Sequence, residues 1–488
     1  MLGFTATTPS ARFLGSARCI RRLSGSARCS SVVSATSTPS IWRSRWRLVP
    51  RTGRCMTTRA TIPGISSKPS RHQSSWQSRC CPTAHRRHIS RTPNMAILPT
   101  SFDFDGPFPS QTRRLRLGVV GGGRISQTQA MAARMTDRWD IVAGAFSSDP
   151  AKAQRRGEEW NVAADRSYAD SQAMAVTEAA REDGIDAVMI TTPNHAHFSA
   201  AAAFLEAGID VICDKPLTND LAEAEQLEKL AGNKGLVFAV CYTMSCYPMI
   251  RQAREIVTSG IVGRINQIHV EFMQDWMTPD NASNAPHVKW RLDPKISGPT
   301  SCVGDIGTHA AHLAQFVSGL AMTGLRADFH VCGTPKALED TAFMTVRYDN
   351  DVPGTLMATR QAPGNRGGLR LRIFGSLGGL EWDMEDCDRL RLNIFGQPDQ
   401  TLTRGHGHGL SPRTERFVRT GRGFPEGLIE AWANLYTEFA LAVGARRDGM
   451  AQPDDWLGYP RISDGVTGVR FIEAAVRSNV AGGSWVNI

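Results

Sequence analysis

Between Arg113 and Tyr242 the apolar positions gather into short runs set apart by helix-like stretches. Leu115 to Val120, residues 140–146 (DIVAGAF), Ala187 to Thr191, Asp210 to Cys213 and residues 235–242 (GLVFAVCY) read as strands, the later ones apolar on both faces as in a parallel sheet covered on two sides. An Ala-rich helix pattern follows the first run. A helix from Phe198 to Ala207 separates the third run from the fourth, with Gly208 placed to stop it. The period then changes. Tyr247 to Ser259 puts Met249, Ile250, Ala253, Ile256 and Val257 on one helical face, with Pro248 in its first turn. Beyond it, alternating runs at 264–274, 342–349, 354–361 and 369–374, with a hairpin-like turn at 375–379, predict a mostly antiparallel sheet. One face of such a sheet must be covered, and the other leaves room for a second subunit in a homo-oligomer.

Composition changes the picture at the start of the chain. The 488 residues carry a formal charge of +10, but residues 1–94 hold 16 Arg, Lys68 and no acid, a charge of +17, while residues 95–488 stand at −7. The basic charge is therefore not spread over a folded surface as a phosphate-binding stripe, and a nucleic-acid-binding protein is not expected. Residues 1–94 have the Arg- and Ser-rich, acid-free composition of a mitochondrial transit peptide, yet Pro9, Pro39, Pro50, Pro63, Pro69 and Pro82 interrupt any amphipathic helix. Arg exceeds Lys 48 to 8 over the chain, the mark of a GC-rich gene, and out-of-frame reading of such DNA gives Arg, Ser, Pro, Cys and Trp. The favoured expectation is a misassigned start, with Met95 as the true one and the segment disordered; a targeting segment is the alternative. A cytoplasmic enzyme is expected in the first case and a mitochondrial one in the second.

The remainder suits about two domains of roughly 150–200 residues each: a nucleotide-binding domain at 113–245 and a substrate-binding domain at 246–488, after a linker at 95–112. It contains no run of 18 apolar residues, so no membrane span is expected. Its six Cys (213, 241, 246, 302, 332, 387) lack C-x-x-C spacing and read as buried, reduced thiols.

Three segments carry candidate chemistry. Gly121 and Gly123 follow the first strand and fill the first two positions of G-x-G-x-x-G, with Ser126 in the third; glycine there lets backbone N–H groups approach a pyrophosphate at a helix N-terminus. The second strand ends in Ser147 and Ser148 rather than in a carboxylate that would hold the ribose 2′-hydroxyl of NAD, and Lys152, Arg155 and Arg156 follow, so NAD and NADP both stay open. Thr192-Pro193-Asn194 and Asp214-Lys215-Pro216 fall at the carboxyl ends of later strands, where open α/β sheets bind ligands. His406 and His408 stand in a Gly-rich stretch with no carboxylate partner, and no metal is expected.

The strings GGGRI (121–125), TTPNHAHF (191–198), Asp214-Lys215-Pro216, GDIGTH (304–309) and Asp464-Gly465 occur in the order seen in the Gfo/Idh/MocA oxidoreductases, a family that includes inositol, glucose–fructose and related sugar dehydrogenases. Residues 113–488 resemble that family throughout. Asp214 stands where the family more often has Glu. The resemblance implies an α/β fold, with an N-terminal Rossmann domain and a C-terminal α/β domain whose open, mostly antiparallel sheet covers the nicotinamide. It implies NAD(P) contacts from Gly121, Gly123, Arg124, Ile125, Ser147, Ser148, Thr192, Pro193, Asn194, His197, Asp214 and Lys215, and a catalytic group of Lys215, Asp305 and His309. Asp305 and His309, spaced i, i+4, are expected to share a proton network, with His309 as general base and Lys215 as donor to the reacting oxygen. Trp276, Trp290, Arg291 and His312, with Glu426, are expected to line a sugar or polyol pocket. The expected activity is hydride transfer between a secondary hydroxyl of a sugar, cyclitol or anhydrosugar and nicotinamide. A glycosidase using the nicotinamide transiently and a non-catalytic dinucleotide-binding regulator are the alternatives.

Overall fold

The computed structural model describes residues 113–405, 410–450 and 456–488. The expectations for residues 1–112 and for His406 and His408 lie outside the described residues.

Two sheets organise the chain. The first has strands β1 (Leu115–Val120), β2 (Trp139–Ala145), β3 (Ala187–Ile190), β4 (Asp210–Cys213) and β5 (Phe238–Val240), all parallel, in the order β2-β1-β3-β4-β5. Every residue of β3 and β4 is buried, as continuous apolar runs require when helices cover both faces. Because β2 and β3 flank β1, the chain leaves β1 in one direction and β3 in the other. That reversal opens a crevice at the carboxyl ends of β1 and β3.

The second sheet contains β6 (Ile265–Met273), β7 (Met322–His330), β8 (Thr341–Tyr348), β9 (Val352–Thr359), β10 (Gly368–Gly375), β11 (Gly378–Asp383), β12 (Arg389–Ile394), β13 (Gln400–Thr403) and β14 (Val486–Asn487). Their order is β13-β12-β11-β10-β6-β9-β8-β7-β14, and only the β6–β9 pair is parallel. Ser376 and Leu377 form the turn between β10 and β11. Helices Pro248–Thr258 and Thr308–Ser318 pack on one face of the sheet. The opposite face presents His269, Phe343 and Arg372 outward.

The chain crosses between the two halves more than once. Helix Leu428–Arg447, from the late part of the sequence, packs on the first sheet's helix Arg124–Met135. Trp139 stacks on Phe439 with ring centroids 5.4 Å apart, and its Nε1 donates to the carbonyl of Tyr436 at 3.0 Å. Arg446 and Arg447 at the end of that helix pair with the buried Asp210 and Asp186 at 2.9 and 2.6 Å. Residue 460 pairs with the edge strand β5, Val240 N–H donating to the Pro460 carbonyl at 2.9 Å, just before helix Ile462–Val480. One apolar core therefore runs from Leu117 and Met189 through Phe439 to Ile268 and Leu371. Four of the six cysteines are buried within the fold; Cys332 is exposed and Cys387 half-buried, which departs from the expectation.

Candidate functional site

In the first sheet, helices Pro150–Glu159, Ser171–Ala180 and Leu221–Lys234 are each closed by an aspartate: Asp149, Asp170 and Asp220 accept the N–H of Lys152, Ala173 and Glu223. Helix Arg124–Met135 is different. Gly123 occupies its N-cap, no side chain caps it and no acid stands in its first turn, so its free N–H groups and dipole point into the crevice. Gly121 has φ +116°, and a Cβ there would lie 2.7 Å from Thr191 Oγ1, so glycine is required for the turn itself. Ser126, in the third glycine position, is buried and hydrogen-bonds to Thr191 Oγ1 at 2.6 Å, tying the helix to the end of β3.

The other expected cofactor residues divide. Ser147 follows β2, and its Oγ accepts the N–H of Asp149 at 3.1 Å; Ser148 and Arg124 are exposed, and Ile125 packs partly against the core. Asn194 is buried, its Nδ2 donating to the Ser297 carbonyl at 3.0 Å. Asp214 Oδ1 accepts the Lys215 N–H at 2.9 Å and so fixes the backbone entering the lysine. His197 is 1% exposed, with its two ring nitrogens 2.9 Å from the carbonyls of Pro216 and Thr192; kept neutral by burial, it donates to one of them and packs between two strand-end loops.

Lys215 and Asp305 meet. Lys215 Nζ donates to Asp305 Oδ1 at 2.7 Å and to the Asp305 carbonyl at 2.8 Å. Asp305 Oδ2 accepts from Arg360 Nη2 at 2.6 Å, and Arg291 Nε lies 3.6 Å away. Burial pushes the Asp305 carboxyl up, but Lys215, Arg360 and Arg291 together hold it well below the usual carboxylate range. His309 enters the next helical turn, 7% exposed, edge-on to Tyr242, with Nδ1 buried and without a partner among the described residues. Burial, reinforced by Lys215, pushes its imidazole well below its ordinary pKa despite Asp305, so it is neutral at physiological pH.

The expected Asp305–His309 network is not formed. Residues Val303–Gly307 make a π turn before helix Thr308–Ser318, so the i, i+4 pair does not face as it would on an α-helix. The carboxylate is taken by cations instead. Trp276 and Trp290 do gather here, through the guanidinium of Arg360 5.1 Å above one ring and that of Arg291 4.3 Å above the other. His312 and Glu426 go elsewhere. His312, one turn along the same helix, stacks on Tyr242 at 4.4 Å and lines a second cleft with Arg254 and Asp464. Glu426 is buried, its Oε1 accepting from Arg404 Nη1 and from the N–H groups of Arg419 and Thr420.

The family model for an oxidoreductase family with an NAD-binding Rossmann fold matches residues 115–242, and that for the Gfo/Idh/MocA C-terminal domain matches residues 250–381. The chain belongs to the Gfo/Idh/MocA oxidoreductases. An uncharacterized oxidoreductase of Bacillus subtilis, YfiI, is 35% identical over 386 residues, which cover 77% of this chain and 97% of the relative. Levoglucosan dehydrogenase of Pseudarthrobacter phenanthrenivorans is 25% identical over 406 residues, covering 77% and 98%. Among solved structures, an inositol dehydrogenase homolog from Azotobacter vinelandii, complexed with NAD+, has a TM-score of 0.73 at 34% identity and covers 80% of this chain and all of its own.

The geometry fits the NAD-binding Rossmann domain of a Gfo/Idh/MocA oxidoreductase. A Cβ built on Gly123 meets nothing within 4 Å, so the space over the open helix end is free for a pyrophosphate. Thr192 Oγ1, just past the end of β3, is buried without a partner among the described residues. Among the described residues no group of His, Cys, Asp and Glu gathers as metal ligands, and no helix is long and apolar enough to cross a membrane. Arg360 was missed by the sequence reading. Its one signal is an arginine directly after an apolar strand, at the end of β9.

Proposed function

We propose that the protein oxidises a secondary hydroxyl of a sugar, cyclitol or anhydrosugar with NAD. The observation that carries this is the pair of Asp305 with Lys215, just past the carboxyl end of β4, beside a neutral His309 whose Nδ1 has no partner among the described residues. Levoglucosan dehydrogenase, an anhydrosugar enzyme by its name, and the inositol dehydrogenase homolog, also solved with NADH and myo-inositol, support the substrate class. Gly121, Gly123, Ser147, Thr192 and Asn194 would hold the dinucleotide, which supplies, when bound, the acceptor for a hydride from the alcohol carbon.

The chain's own residues handle the proton and the oxygen. His309, kept neutral by burial, accepts the hydroxyl proton on a ring nitrogen. Lys215 donates to the same oxygen and stabilises its developing negative charge. Asp305, ionised throughout, holds the lysine and leaves proton acceptance to the histidine. Arg291 and the faces of Trp276 and Trp290 would orient the ring by hydrogen bonding and C–H stacking.

A panel of polyols, inositols and anhydrosugars assayed with NAD+ and NADP+, following absorbance of the reduced nicotinamide, tests the substrate class. Lys215→Ala is expected to lower kcat by about 100-fold or more while cofactor affinity changes little. Near-normal kcat in that variant, or no reduction with any member of the panel, would overturn the reading.

A further inference from the structure

We propose that Arg360 is a positioning residue of the catalytic group, fixing one oxygen of Asp305 so that the other presents Lys215 to the substrate. The proposal rests on the reading of Lys215, Asp305 and His309 given above. Each carboxylate oxygen has its own cation: Oδ1 takes Lys215 Nζ at 2.7 Å, and Oδ2 takes Arg360 Nη2 at 2.6 Å.

The two cations are not equivalent. Lys215 is partly accessible and sits on a flexible stem, whereas the Arg360 side chain is fully buried. The guanidinium is held on several sides. Nη1 donates to Ser301 Oγ at 2.7 Å, Nη2 to the Ser301 carbonyl at 3.0 Å, and the plane lies over Trp276. Ser301 is itself fixed, its N–H bonding both oxygens of the buried Glu339 at 2.9 and 3.1 Å. The Arg360 backbone N–H bonds the Asp340 carbonyl at 2.9 Å.

Asp305 needs this support. It stands in the π turn Val303–Gly307 between Gly304 and Gly307, without a hydrogen-bonding side chain from its own turn. During turnover Lys215 must direct its Nζ to the substrate oxygen. Asp305 is half-buried, and without a permanent cation it would take up a proton more readily and loosen the lysine's anchor. Arg291, 3.6 Å away and 28% exposed, is too distant and too solvated to substitute alone. Arg360 therefore keeps Asp305 ionised and in place while Lys215 works, touching no substrate itself.

Arg360→Gln and Arg360→Lys, compared with Lys215→Ala, test this through kcat, KM, the pH profile of kcat/KM, NADH affinity by fluorescence, and thermal unfolding. Folded Arg360→Gln is expected to lose about 100-fold in kcat, as a displaced catalytic group does, with NADH affinity within about twofold. Its acid limb should move toward neutral pH as the Asp305 carboxyl loses its permanent cation. Arg360→Lys, which keeps the charge but not the fork of donors, should recover part of kcat and return the acid limb. Folded Arg360→Gln with near-normal kcat and an unmoved acid limb would overturn the proposal. If Arg360→Gln does not fold, Arg360→Lys decides: unchanged kcat overturns the proposal, and a loss of about tenfold without a change in NADH affinity supports it. Normal turnover in Lys215→Ala would instead remove the reading of the catalytic group on which the proposal rests.

Discussion

Two glycines two residues apart in one turn are expected to fail in opposite ways when given a methyl group. Gly121 has φ +116°, where an L-residue is strained by roughly 1–3 kcal/mol, and its new Cβ would stand 2.7 Å from Thr191 Oγ1 and 3.0 Å from the Thr191 carbonyl. Thr191 has little freedom to retreat, because its hydroxyl is bonded to Ser126 and to the Val120 carbonyl. Overpacking adds roughly 1–3 kcal/mol more, so Gly121→Ala should lower the melting temperature by several degrees. Gly123 has φ −81° and open space where its Cβ would go. Gly123→Ala should leave stability unchanged or raise it by up to about 1 kcal/mol. The same methyl intrudes between the helix end and a dinucleotide pyrophosphate, and a loss of about 1.4 kcal/mol there is a tenfold weaker Kd for NADH. The measurements are thermal unfolding without cofactor and NADH titration by fluorescence. A Gly123→Ala protein that binds NADH like the wild type would show that the open end of helix Arg124–Met135 is not the phosphate site. A Gly121→Ala protein of unchanged stability would refute the strain reasoning.

Three further outcomes follow from the same structure. With the His309 imidazole pushed well below its ordinary 6.5 by burial, kcat/KM should not fall until the pH drops well below that value, and an acid limb at or above 6.5 would remove His309 as the base. The sign for stability agrees: the unfolded imidazole takes a proton first, so the contribution of the neutral buried ring is full above about 6.5 and is lost as the pH falls. Trp139→Ala, which deletes the stack on Phe439 and the bond to Tyr436, should cost about 3–5 kcal/mol in equilibrium unfolding, and a loss below about 1 kcal/mol would show that helix Leu428–Arg447 is held by other contacts. Ser147→Asp places a carboxylate at the end of β2, where Asp149 already serves as a helix cap, and should reduce kcat/KM with NADP+ about tenfold or more while sparing NAD+; equal effects on both cofactors would detach that strand end from the ribose.

The strands of the first sheet were legible because they are apolar on both faces and end in punctuation that means something: glycine after β1, Asp-Lys-Pro after β4. In the second sheet the period-2 alternation marked β6, β8, β9 and β10. It did not mark β7, where an irregularity at Gly324 breaks the alternation, nor β12 and the short edge strands β13 and β14. Lys215 and Asp305 were placed in one catalytic group, but their ion pair and the cations around the carboxylate were not foreseen, since Lys215, Arg360 and Arg291 come from separate elements that only tertiary packing joins. The error at Asp305 and His309 came from reading an i, i+4 spacing as α-helical where two glycines permit a wider turn. For His197, sequence carries no sign that the ring is buried between two backbone carbonyls.

The return of the late chain to the first sheet has a consequence for synthesis. The segment from Leu115 to Tyr242 emerges from the ribosome long before Pro460 exists to pair with Val240, and before Phe439 can cover Trp139. At that stage Asp210 lacks Arg446, while Asp186 keeps Arg113 but lacks Arg447. The nucleotide-binding sheet is thus translated first and completed last. A nascent chain stalled anywhere before the final helices displays an open edge strand and an exposed tryptophan, the surfaces that chaperones and neighbouring nascent chains engage.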